Sequence, residues 1–542
     1  RALHRGLHLQ VGRQALADGV VEHHHALRAG VAFHVVDHLR VEIAVHRGIV
    51  VAGRAGVAAS QPLAVSAALQ ILASGGSCID AAITASAVLS VVEPWNSHLG
   101  GDAFCIHHHA ATRTNMAFNG SGEAPHGATS DAFPGGIPLH GFQSATIPGL
   151  VSTWFAAHAL HGRLPIAPLL APAIAYARDG FPAGPTLLKK VRDHRALLSA
   201  HASLDSLGIP VNVSLGDIIR QPELAMTLDA ISLDGRAGFY GGRVADLIVE
   251  TSGGWFSHDD LARHKTRILP PLAGRYRDLI VHGQPPPSQG MVLIEELLLA
   301  DGYPLADLPD AQRTHLLVEA KKLAFTDRNR FLGDPEWRDI AVEQLFDTMY
   351  ISRRRAEIDP FLAAGTHIAL PNEGSDTTYF VIVDDAGDAI SWIQSVFHNF
   401  GSAWMPAGTG VLFNNRLTGF SLDQMSPNCI APGKRPAHTL NAWLATHLDG
   451  RLAYVGGTPG GHVQVQTNLQ LLVNAVDLKM DVQQAVEAPR WQHLSTAGAL
   501  SNEETGDGIL EIENRVDESI VTALKERGHD VRLIGPWAHG SA

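Results

Sequence analysis

The residues of this chain that are best suited to nucleophilic chemistry are Thr377 and Thr378, which open an alternating apolar segment. A threonine hydroxyl is a weak nucleophile, and no Ser-His-Asp or Cys-His spacing in the sequence would activate one. Cleavage of the bond between Asp376 and Thr377 would free an α-amine with a pKa of about 8 beside the hydroxyl, and that amine can accept the hydroxyl proton. Thr377 would then be nucleophile and base together. Taken alone, the Thr-Thr pair would indicate only the start of a β-strand.

Motifs on both sides of this pair favour the interpretation of Thr377 as a nucleophile over that of a residue that only begins a β-strand. They are found at residues 74–82 (Ser-Gly-Gly-Ser-Cys-Ile-Asp-Ala-Ala), 91–94 (Val-Val-Glu-Pro), 100–104 (Gly-Gly-Asp-Ala-Phe), 285–290 (Pro-Pro-Pro-Ser-Gln-Gly), 319–328 (Glu-Ala-Lys-Lys-Leu-Ala-Phe-Thr-Asp-Arg), 406–410 (Pro-Ala-Gly-Thr-Gly), 414–415 (Asn-Asn), 433–436 (Gly-Lys-Arg-Pro) and 457–461 (Gly-Thr-Pro-Gly-Gly). In their order and spacing they resemble the γ-glutamyltransferase family of N-terminal-nucleophile hydrolases, from about Val50 to near the C-terminus.

The resemblance implies an α/β (α+β) fold, a four-layer αββα sandwich built from two chains of one self-cleaved precursor. Residues 49–376 would form the large chain, and residues 377–542 would form the small chain that begins with the nucleophile. Members of the family form an acyl-enzyme on this threonine and need neither a metal nor an organic cofactor. We therefore expect a small-molecule amide as the substrate, with no cofactor.

Five further residues are expected to support the chemistry. Gly460 and Gly461 match the family's oxyanion hole, and a Gly-Gly pair can direct two backbone N–H groups into one concavity; a tight turn is the alternative. Ser395 stands where the family usually has a second threonine that bonds to the nucleophile and helps processing, although an ordinary strand serine would look the same. Asn414 and Asn415 match a pair beside the acyl pocket, and a turn-forming role is equally consistent with them.

The γ-glutamyl pocket of the family is altered at several positions. Losing the partners of both charges of a glutamyl zwitterion should weaken its binding, since each buried ionic contact to a ligand is commonly worth about 2–5 kcal/mol. The sequence therefore predicts that ordinary γ-glutamyl recognition is impaired. The replacements are Ser121 for an arginine, Phe397 for an asparagine, Arg416 for a glutamine, Gly419 for an acidic residue, and His438 and Thr439 for two serines.

The replacements look closer to a branch of the family that contains oxamate amidohydrolase and some cephalosporin or glutaryl acylases. In this interpretation Arg416 and His438 would anchor a small carboxylate on the other side of the pocket, beside Thr439 and Ser121. A surface arginine paired with a neighbouring acid is the commoner role for such a residue.

The predicted function is a self-processing amidohydrolase that cleaves a small acyl or γ-glutamyl-type amide through an acyl-enzyme on Thr377. A true γ-glutamyltransferase or glutathione hydrolase is the main alternative. A catalytically inactive binding protein on the same scaffold is the second, since fold does not fix function. The retention of Thr377, Ser395, Gly460 and Gly461 argues against that last alternative.

The composition of the chain limits the classes of molecule that we expect it to bind. The 542 residues carry a net charge of −13 that is spread along the chain, which argues against nucleic acid or an anionic membrane as a partner. Three cysteines at wide spacing give neither a disulfide framework nor a metal-ligand pattern. The first residues lack the features of a signal peptide. We therefore expect a cytoplasmic protein, with a periplasmic or secreted one left open if the start is misassigned, and a possible homodimer of processed heterodimers.

Residues 1–48 differ from the rest of the chain. They hold eight of its 30 histidines, including His23-His24-His25, and show no amphipathic periodicity. We interpret them as a poorly ordered extension. Metal binding by the histidine run is the less favoured alternative, because no partner cluster accompanies it.

The elements that must position the nucleophile can be read from periodicity. Ala-rich stretches predict paired helices at 61–74 and 79–92, and apolar spacing predicts a long helix over 313–331 with Lys321 and Lys322 on a solvated face. Beyond Thr377 the period becomes alternating. Residues 378–383 and 389–393 therefore predict a hairpin around Gly387.

Overall fold

A computed structural model describes residues 52–210, 212–364, 377–494 and 508–539. Two antiparallel sheets lie at its centre. The larger has the strand order β1-β9-β10-β2-β3-β6, and the second has the order β12-β11-β8-β7. The strands are β1 (Gly56–Ala59), β2 (Asp102–His109), β3 (Thr114–Asn119), β4 (Phe181–Pro182), β5 (Ile218–Ile219), β6 (Arg267–Leu269), β7 (Leu272–Tyr276), β8 (Leu279–Gly283), β9 (Thr378–Val383), β10 (Ala389–Ser395), β11 (Trp443–His447), β12 (Leu452–Gly456), β13 (Trp491–Leu494), β14 (Ile509–Glu513) and β15 (Asp530–Ile534).

The two central sheets pack face to face. Ile106 of β2 and Ala117 of β3 contact Leu444 of β11, and Phe104 and Ile393 pack against the segment that leads into β11. These side chains are fully buried. The centre of the interface between the sheets is therefore apolar, as expected when two sheets share one core, while Asn115 of β3 bonds to His282 of β8 across it. Strands β13–β15 form a separate three-stranded sheet, and β4 and β5 pair with each other.

Helices cover the outer faces of both sheets. Helix α2 packs on β9 and β10, and α11 packs on β7 and β8. The order helix, sheet, sheet, helix is the four-layer sandwich that the family resemblance implies. The helices are α1 (Pro62–Ala73), α2 (Cys78–Val92), α3 (Leu150–His161), α4 (Ile166–Asp179), α5 (Pro185–Asp193), α6 (Arg195–Ala200), α7 (Pro222–Asp234), α8 (Ala237–Tyr240), α9 (Gly242–Thr251), α10 (His258–Arg263), α11 (Gly290–Ala300), α12 (Asp310–Phe331), α13 (Val342–Leu345), α14 (Thr348–Arg355), α15 (Gln464–Val476), α16 (Val482–Glu487) and α17 (Glu518–Glu526).

The hairpin formed by β9 and β10 lies inside the larger sheet, between β1 and β2. Its turn is fixed by Asp384, whose carboxylate accepts hydrogen bonds from the N–H groups of Ala386 and Asp388. Gly387 supplies the positive φ, +83°, that the turn requires. The register pairs Thr378 with Gln394, so the start of β9 lies beside the end of β10. The predicted hairpin is confirmed.

The predicted solvated face of the long helix is wrong. Lys321 and Lys322 are buried, because α12 runs between α11 and α17 and offers no open side at this point. The ammonium of Lys321 lies 4.4 Å from the centre of the Phe325 ring and donates to the carbonyl of His493. The sequence pattern could not show this, because the helix carries charged residues all around its circumference.

Two expectations concern residues that the structure does not describe. The extension 1–48, with His23-His24-His25, lies outside the described residues, and so does Asp376 on the leaving side of the predicted cut. Among the described residues, no helix combines the length and the apolar character that crossing a bilayer would require.

Candidate active site

Thr377 is buried and directly precedes β9, so it lies at one end of a central strand of the larger sheet. Thr378 anchors the strand start, because its hydroxyl donates to Glu93 Oε2 at 2.9 Å. The ladder that pairs Thr378 with Gln394 and Ser395 with Asp102 brings Ser395 and Asp102 to the same strand ends. The sequence therefore folds so that the nucleophile candidate lies at the ends of three adjacent strands.

The loop that follows β12 reaches the same strand ends. Gly457 packs on the Tyr379 ring so closely that a Cβ would lie 2.3 Å from the ring, so only glycine fits there. Tyr379 is two residues from Thr377, and its hydroxyl bonds to Ser391, whose hydroxyl donates to the carbonyl of Gly456. These contacts fix the loop 457–461 close to the start of β9.

Gly460 and Gly461 form a turn that leads directly into α15. Both have positive φ, +123° and +57°, which L side chains rarely adopt. Neither N–H donates to another group in the part of the chain that the structure describes. Gln289 Nε2 holds the turn by donating to the carbonyls of Gly461 and Thr439, at 2.9 Å each. Two unbonded N–H groups at the start of a helix form a preorganised donor pair for a developing negative charge.

Arg416 is a buried guanidinium with open donors. Its Nη1 lies 3.4 Å from Thr439 Oγ1, and its Nε lies 3.8 Å from Asp102 Oδ2. Among the described residues, Nε and Nη2 have no hydrogen-bond partner. Burial lowers the pKa of Arg416 to about 9, while Asp102 opposes that shift. The guanidinium therefore stays charged at neutral pH and can accept an anionic partner. The alternative of a surface charge is wrong, because the side chain is only 1% exposed.

In contrast to Arg416, His438 has a hydrogen-bond partner at both ring nitrogens. Its Nδ1 accepts the N–H of Leu440 at 3.2 Å, so its Nε2 carries the proton and donates to Asp102 Oδ2 at 3.1 Å. Burial and Arg416 hold the pKa of His438 well below its usual range, so the ring is neutral. His438 thus orients Asp102, and Asp102 lies beside Arg416.

Asp102 links these groups. Its Oδ1 accepts the N–H of Gly122 at 3.0 Å. Burial raises the pKa of Asp102 to about 7, although Arg416 and the Gly122 N–H act in the opposite direction. The charge on Asp102, and with it the neutralisation of Arg416, therefore changes near neutral pH.

Phe397 covers the guanidinium. The centre of its ring lies 3.9 Å from Arg416 Cζ. The backbone of Phe397 has a φ of +84°, which is strained for an aromatic residue. The hydroxyl of Ser395 accepts the Phe397 N–H at 2.8 Å and so holds this conformation. Ser395 therefore connects the strand end beside Thr377 to the wall of the Arg416 pocket.

The side chains of Asn414 and Asn415 form hydrogen bonds with other residues of the protein. Asn414 Oδ1 accepts hydrogen bonds from the N–H groups of Thr146 and Arg416, and its Nδ2 donates to Gly100. Asn415 bonds to the backbone N–H and the ring of His398. Both amides hold the loop that carries Arg416.

Ser121 lies buried, two residues after β3 and next to Gly122, which bonds to Asp102. Within the described residues its hydroxyl has no hydrogen-bond partner, while its N–H donates to Asn119 Oδ1. Thr439 contacts Arg416 through its side chain and Gln289 through its carbonyl. Both residues thus border the same buried polar region as Asp102.

No set of three metal-ligating side chains occurs among the residues described above. Within the described ranges of the chain, the grouping with such geometry is His315, Glu319 and His529. A cationic side chain does lie near the glycine turn, because Arg328 Nη2 donates to His462 Nδ1 at 2.9 Å. Arg328 and Arg416 both lower the pKa of His462, which burial already holds well below its usual range. The surroundings of the turn are therefore electropositive.

Comparisons with known proteins show the family of this chain. The family model described as Gamma-glutamyltranspeptidase matches residues 64–542, which is most of the chain. This chain belongs to the gamma-glutamyltranspeptidase family. It is therefore an enzyme of the hydrolase and acyltransferase type that the resemblance implied.

Relatives and solved structures of the gamma-glutamyltranspeptidase family cover nearly the same span. The chain is 35% identical to the glutathione hydrolase-like YwrD proenzyme of Bacillus subtilis, over 88% of this chain and 90% of that protein. It is 34% identical to the oxamate amidohydrolase proenzyme of Klebsiella pneumoniae, over 88% and 91%. The crystal structure of cephalosporin acylase from Bacillus halodurans superposes with a TM-score of 0.83 at 31% identity, over 92% of this chain and 93% of that one.

Some residues of this candidate site belong to the sequence motifs, although the motifs assigned them no role of their own. Asp102 is part of the Gly-Gly-Asp-Ala-Phe motif, and Gln289 is part of the Pro-Pro-Pro-Ser-Gln-Gly motif. Both motifs contributed to the family resemblance. The spacing within them did not indicate which residues Asp102 and Gln289 bond to. The bond between Asp102 and His438 joins residues 336 positions apart, a separation at which sequence spacing carries no information.

Proposed function

We propose that this chain is a self-processing amide hydrolase in which Thr377 is the N-terminal nucleophile. The observation that carries the proposal is that three features lie near the start of β9: the buried Thr377, the hydroxyl of Ser395 at the end of β10, and the glycine turn. The N–H groups of Gly460 and Gly461 in that turn donate to no other group among the described residues. A cut before Thr377 would leave a large chain ending at Asp376 and a small chain of residues 377–542.

Processing would use the same groups as catalysis. The Thr377 hydroxyl attacks the carbonyl of Asp376, the peptide bond breaks as an ester forms, and water hydrolyses that ester to leave a carboxylate and a free α-amine. The α-amine then takes the hydroxyl proton during attack on a substrate amide. The amine returns this proton to the leaving nitrogen, and water releases the acyl group. No step requires a metal or a cofactor.

The glycine turn would stabilise both tetrahedral intermediates. Its two donors belong to a turn that Gln289 holds and α15 continues, so little reorganisation accompanies the reaction. Removing one such donor typically costs about 3 kcal/mol of barrier stabilisation.

The acyl part of the substrate would carry a negative charge close to the scissile carbonyl. Arg416 supports this, because two nitrogens of its buried guanidinium, Nε and Nη2, have no partner among the described residues. A buried cation with open donors is costly unless an anion completes it. The ring of Phe397 would exclude water from the same contact. The name of the oxamate amidohydrolase relative agrees with a small acidic amide.

A γ-glutamyl amide is the second candidate. The specific support is the glutathione hydrolase-like relative, at 35% identity over most of both chains. Against it, the chain has Ser121 where the family resemblance places the arginine that would hold the α-carboxylate of a glutamyl group. In a γ-glutamyl substrate, Arg416 would take over that carboxylate from the other side.

Intact mass and N-terminal sequencing under denaturing conditions test the processing step. We expect two chains, with the small one starting at Thr377, and a single chain for Thr377→Ala. Thr378→Ala is the matched control: it loses the bond to Glu93 but keeps the nucleophile, and it should still be cut. One uncut wild-type chain would reject the proposal and favour a binding protein. Hydrolysis of acidic, neutral and γ-glutamyl amides by the cut enzyme then separates the two substrate candidates.

A further inference from the structure

Three buried side chains outside the active site converge between α12 and the loop before β15. His315 and Glu319 lie one turn apart on the same face of α12, and His529 lies in the loop. Ligand atoms of all three lie within 4.8 Å of one another, and all three side chains are buried. We propose that these residues form a binding site for a divalent transition-metal cation of the zinc class.

The hydrogen bonds around the imidazoles already have the pattern of a metal site. His315 Nε2 donates to the carbonyl of Asp359 at 2.8 Å, so its Nδ1 holds a lone pair. That lone pair faces His529 Nε2, at 2.8 Å. Histidine ligands commonly donate their other ring N–H to a backbone carbonyl, which fixes the ring and its tautomer. His315 is therefore oriented as a ligand would be.

A cation would replace the proton that the two rings share. Without a metal, His529 Nε2–H donates to His315 Nδ1. When a cation binds, His529 carries its proton on Nδ1 instead, and both facing nitrogens become ligands. Two nitrogens on one tetrahedral zinc lie about 3.3 Å apart, given zinc–nitrogen bonds of about 2.0–2.1 Å. The rings need to separate by only about half an ångström to reach that geometry.

The donor set selects the class of cation. Two imidazole nitrogens and one carboxylate form the ligand set of several zinc sites, with water as the fourth ligand. Calcium and magnesium prefer oxygen ligands and would be disfavoured here. Zinc, or cobalt as its spectroscopic substitute, is therefore the expected occupant.

Lys322 opposes the cation. Its ammonium lies 2.7 Å from Glu319 Oε1 and also donates to the carbonyl of Ala364. It neutralises Glu319 when no metal is bound, so a cation must share the carboxylate with it. Zinc affinity should consequently be limited by Lys322, and the affinity should rise when that charge is removed.

The site would also join the two chains of the processed enzyme. His315 and Glu319 belong to the proposed large chain, and His529 belongs to the proposed small chain. Bound zinc would act as a cross-link between them, in addition to the apolar packing of α12 on α17. This consequence rests on the proposed cut, whereas the cation site itself does not.

The test is a titration of the metal-stripped full-length protein with zinc chloride, followed by metal content per chain and the Tm. We expect one tightly held zinc and a raised Tm in the wild type, and loss of both in Glu319→Gln and His529→Gln. Lys322→Met should bind zinc about tenfold more tightly, because a competing charge is removed. Cobalt should give the absorption bands of tetrahedral coordination in the wild type and not in Glu319→Gln.

The control is His161→Asn, which removes an imidazole from the separate cluster formed with His107 and His109. It should leave the tight zinc in place. Equal zinc content and an equal Tm shift in the wild type, Glu319→Gln and His529→Gln would overturn the proposal, as would loss of the zinc in His161→Asn. Glu319→Gln keeps the size of the side chain and an acceptor for Lys322, so it decides the question if His529→Gln fails to fold.

Discussion

Replacing Arg416 by methionine should remove the enzyme's preference for acidic acyl groups. Methionine keeps much of the side-chain length and apolar contact with Phe397 but removes the guanidinium. Thr439 Oγ1, which lies 3.4 Å from Nη1, loses only a long hydrogen bond. The loss that matters is therefore the charge and its two open donors.

The size of the effect follows from the surroundings of Arg416. A buried ionic contact to a ligand is commonly worth about 2–5 kcal/mol. Asp102, whose Oδ2 lies 3.8 Å from Nε, already offsets part of the charge, so the lower half of that range applies. A loss of about 2–3 kcal/mol corresponds to a fall of about 30- to 150-fold in kcat/KM for an acidic amide.

The assay compares each enzyme on two amides that differ only in a carboxylate or its methyl ester on the acyl part. Arg416→Met should lower kcat/KM for the acid and leave the ester within about twofold, because only the acid contacts the guanidinium. Complete processing of the variant must first be verified by denaturing mass spectrometry. An equal fall on both substrates would refute the reasoning, since it would mean that Arg416 only supports the fold.

Arg435→Met is the matched control for this experiment. Arg435 is also a buried arginine, but its guanidinium donates to Glu123 and to the carbonyls of Asn119 and Lys265. Losing it should lower the Tm, because Glu123 and two carbonyls lose their partner. The ratio of acid to ester hydrolysis should stay at the wild-type value.

Three other predictions concern the turn and Asp102. Gly460→Ala places a Cβ 2.9 Å from Val463 at a φ of +123°, so kcat should fall by about 100-fold or more. Gly450→Ala, also at positive φ but in the half-buried turn between β11 and β12, should keep kcat. The KM of an acidic amide should rise between pH 6 and pH 8 while that of its ester stays flat, because Asp102 ionises near pH 7 and neutralises Arg416; a flat KM for the acid would contradict this. In urea unfolding of the uncut Thr377→Ala chain, the raised pKa of Asp102 stabilises the folded state at low pH, and this contribution is lost as the pH rises through about 7. Relative to the same chain with Asp102→Asn, it should therefore lose stability between pH 5 and pH 8, and an unchanging difference would contradict the assignment.

Local patterns predicted individual helices and strands, whereas the four-layer arrangement was implied by the family resemblance. The helix pair at α1 and α2 and the hairpin around Gly387 agree with the structure to within one or two residues, because their signals lie within a few positions along the chain. The burial of Lys321 and Lys322 was missed, because it depends on which elements pack around α12.

The site was predictable in part, for the same reason. The positions of Thr377 and of the Gly460 turn followed from contiguous motifs. The distinct roles of Arg416 and His438 did not, since one keeps open donors and the other is fully bonded to Asp102 and Leu440. Only the folded arrangement separates two basic residues that the sequence treated as a pair.

Because the β9–β10 hairpin lies between β1 and β2, unfolding of the enzyme after the proposed cut would be difficult to reverse. Strands on both sides of the hairpin belong to the proposed large chain. A cut before Thr377 would therefore leave one sheet whose strands come from two polypeptides. Neither piece could leave without exposing the apolar interior of both sheets. Once unfolded, the mature enzyme would have to reassemble as a bimolecular reaction, without the covalent link that guided its first folding. Heat-inactivated mature enzyme should therefore recover poorly, whereas the uncut Thr377→Ala chain should refold as a single molecule.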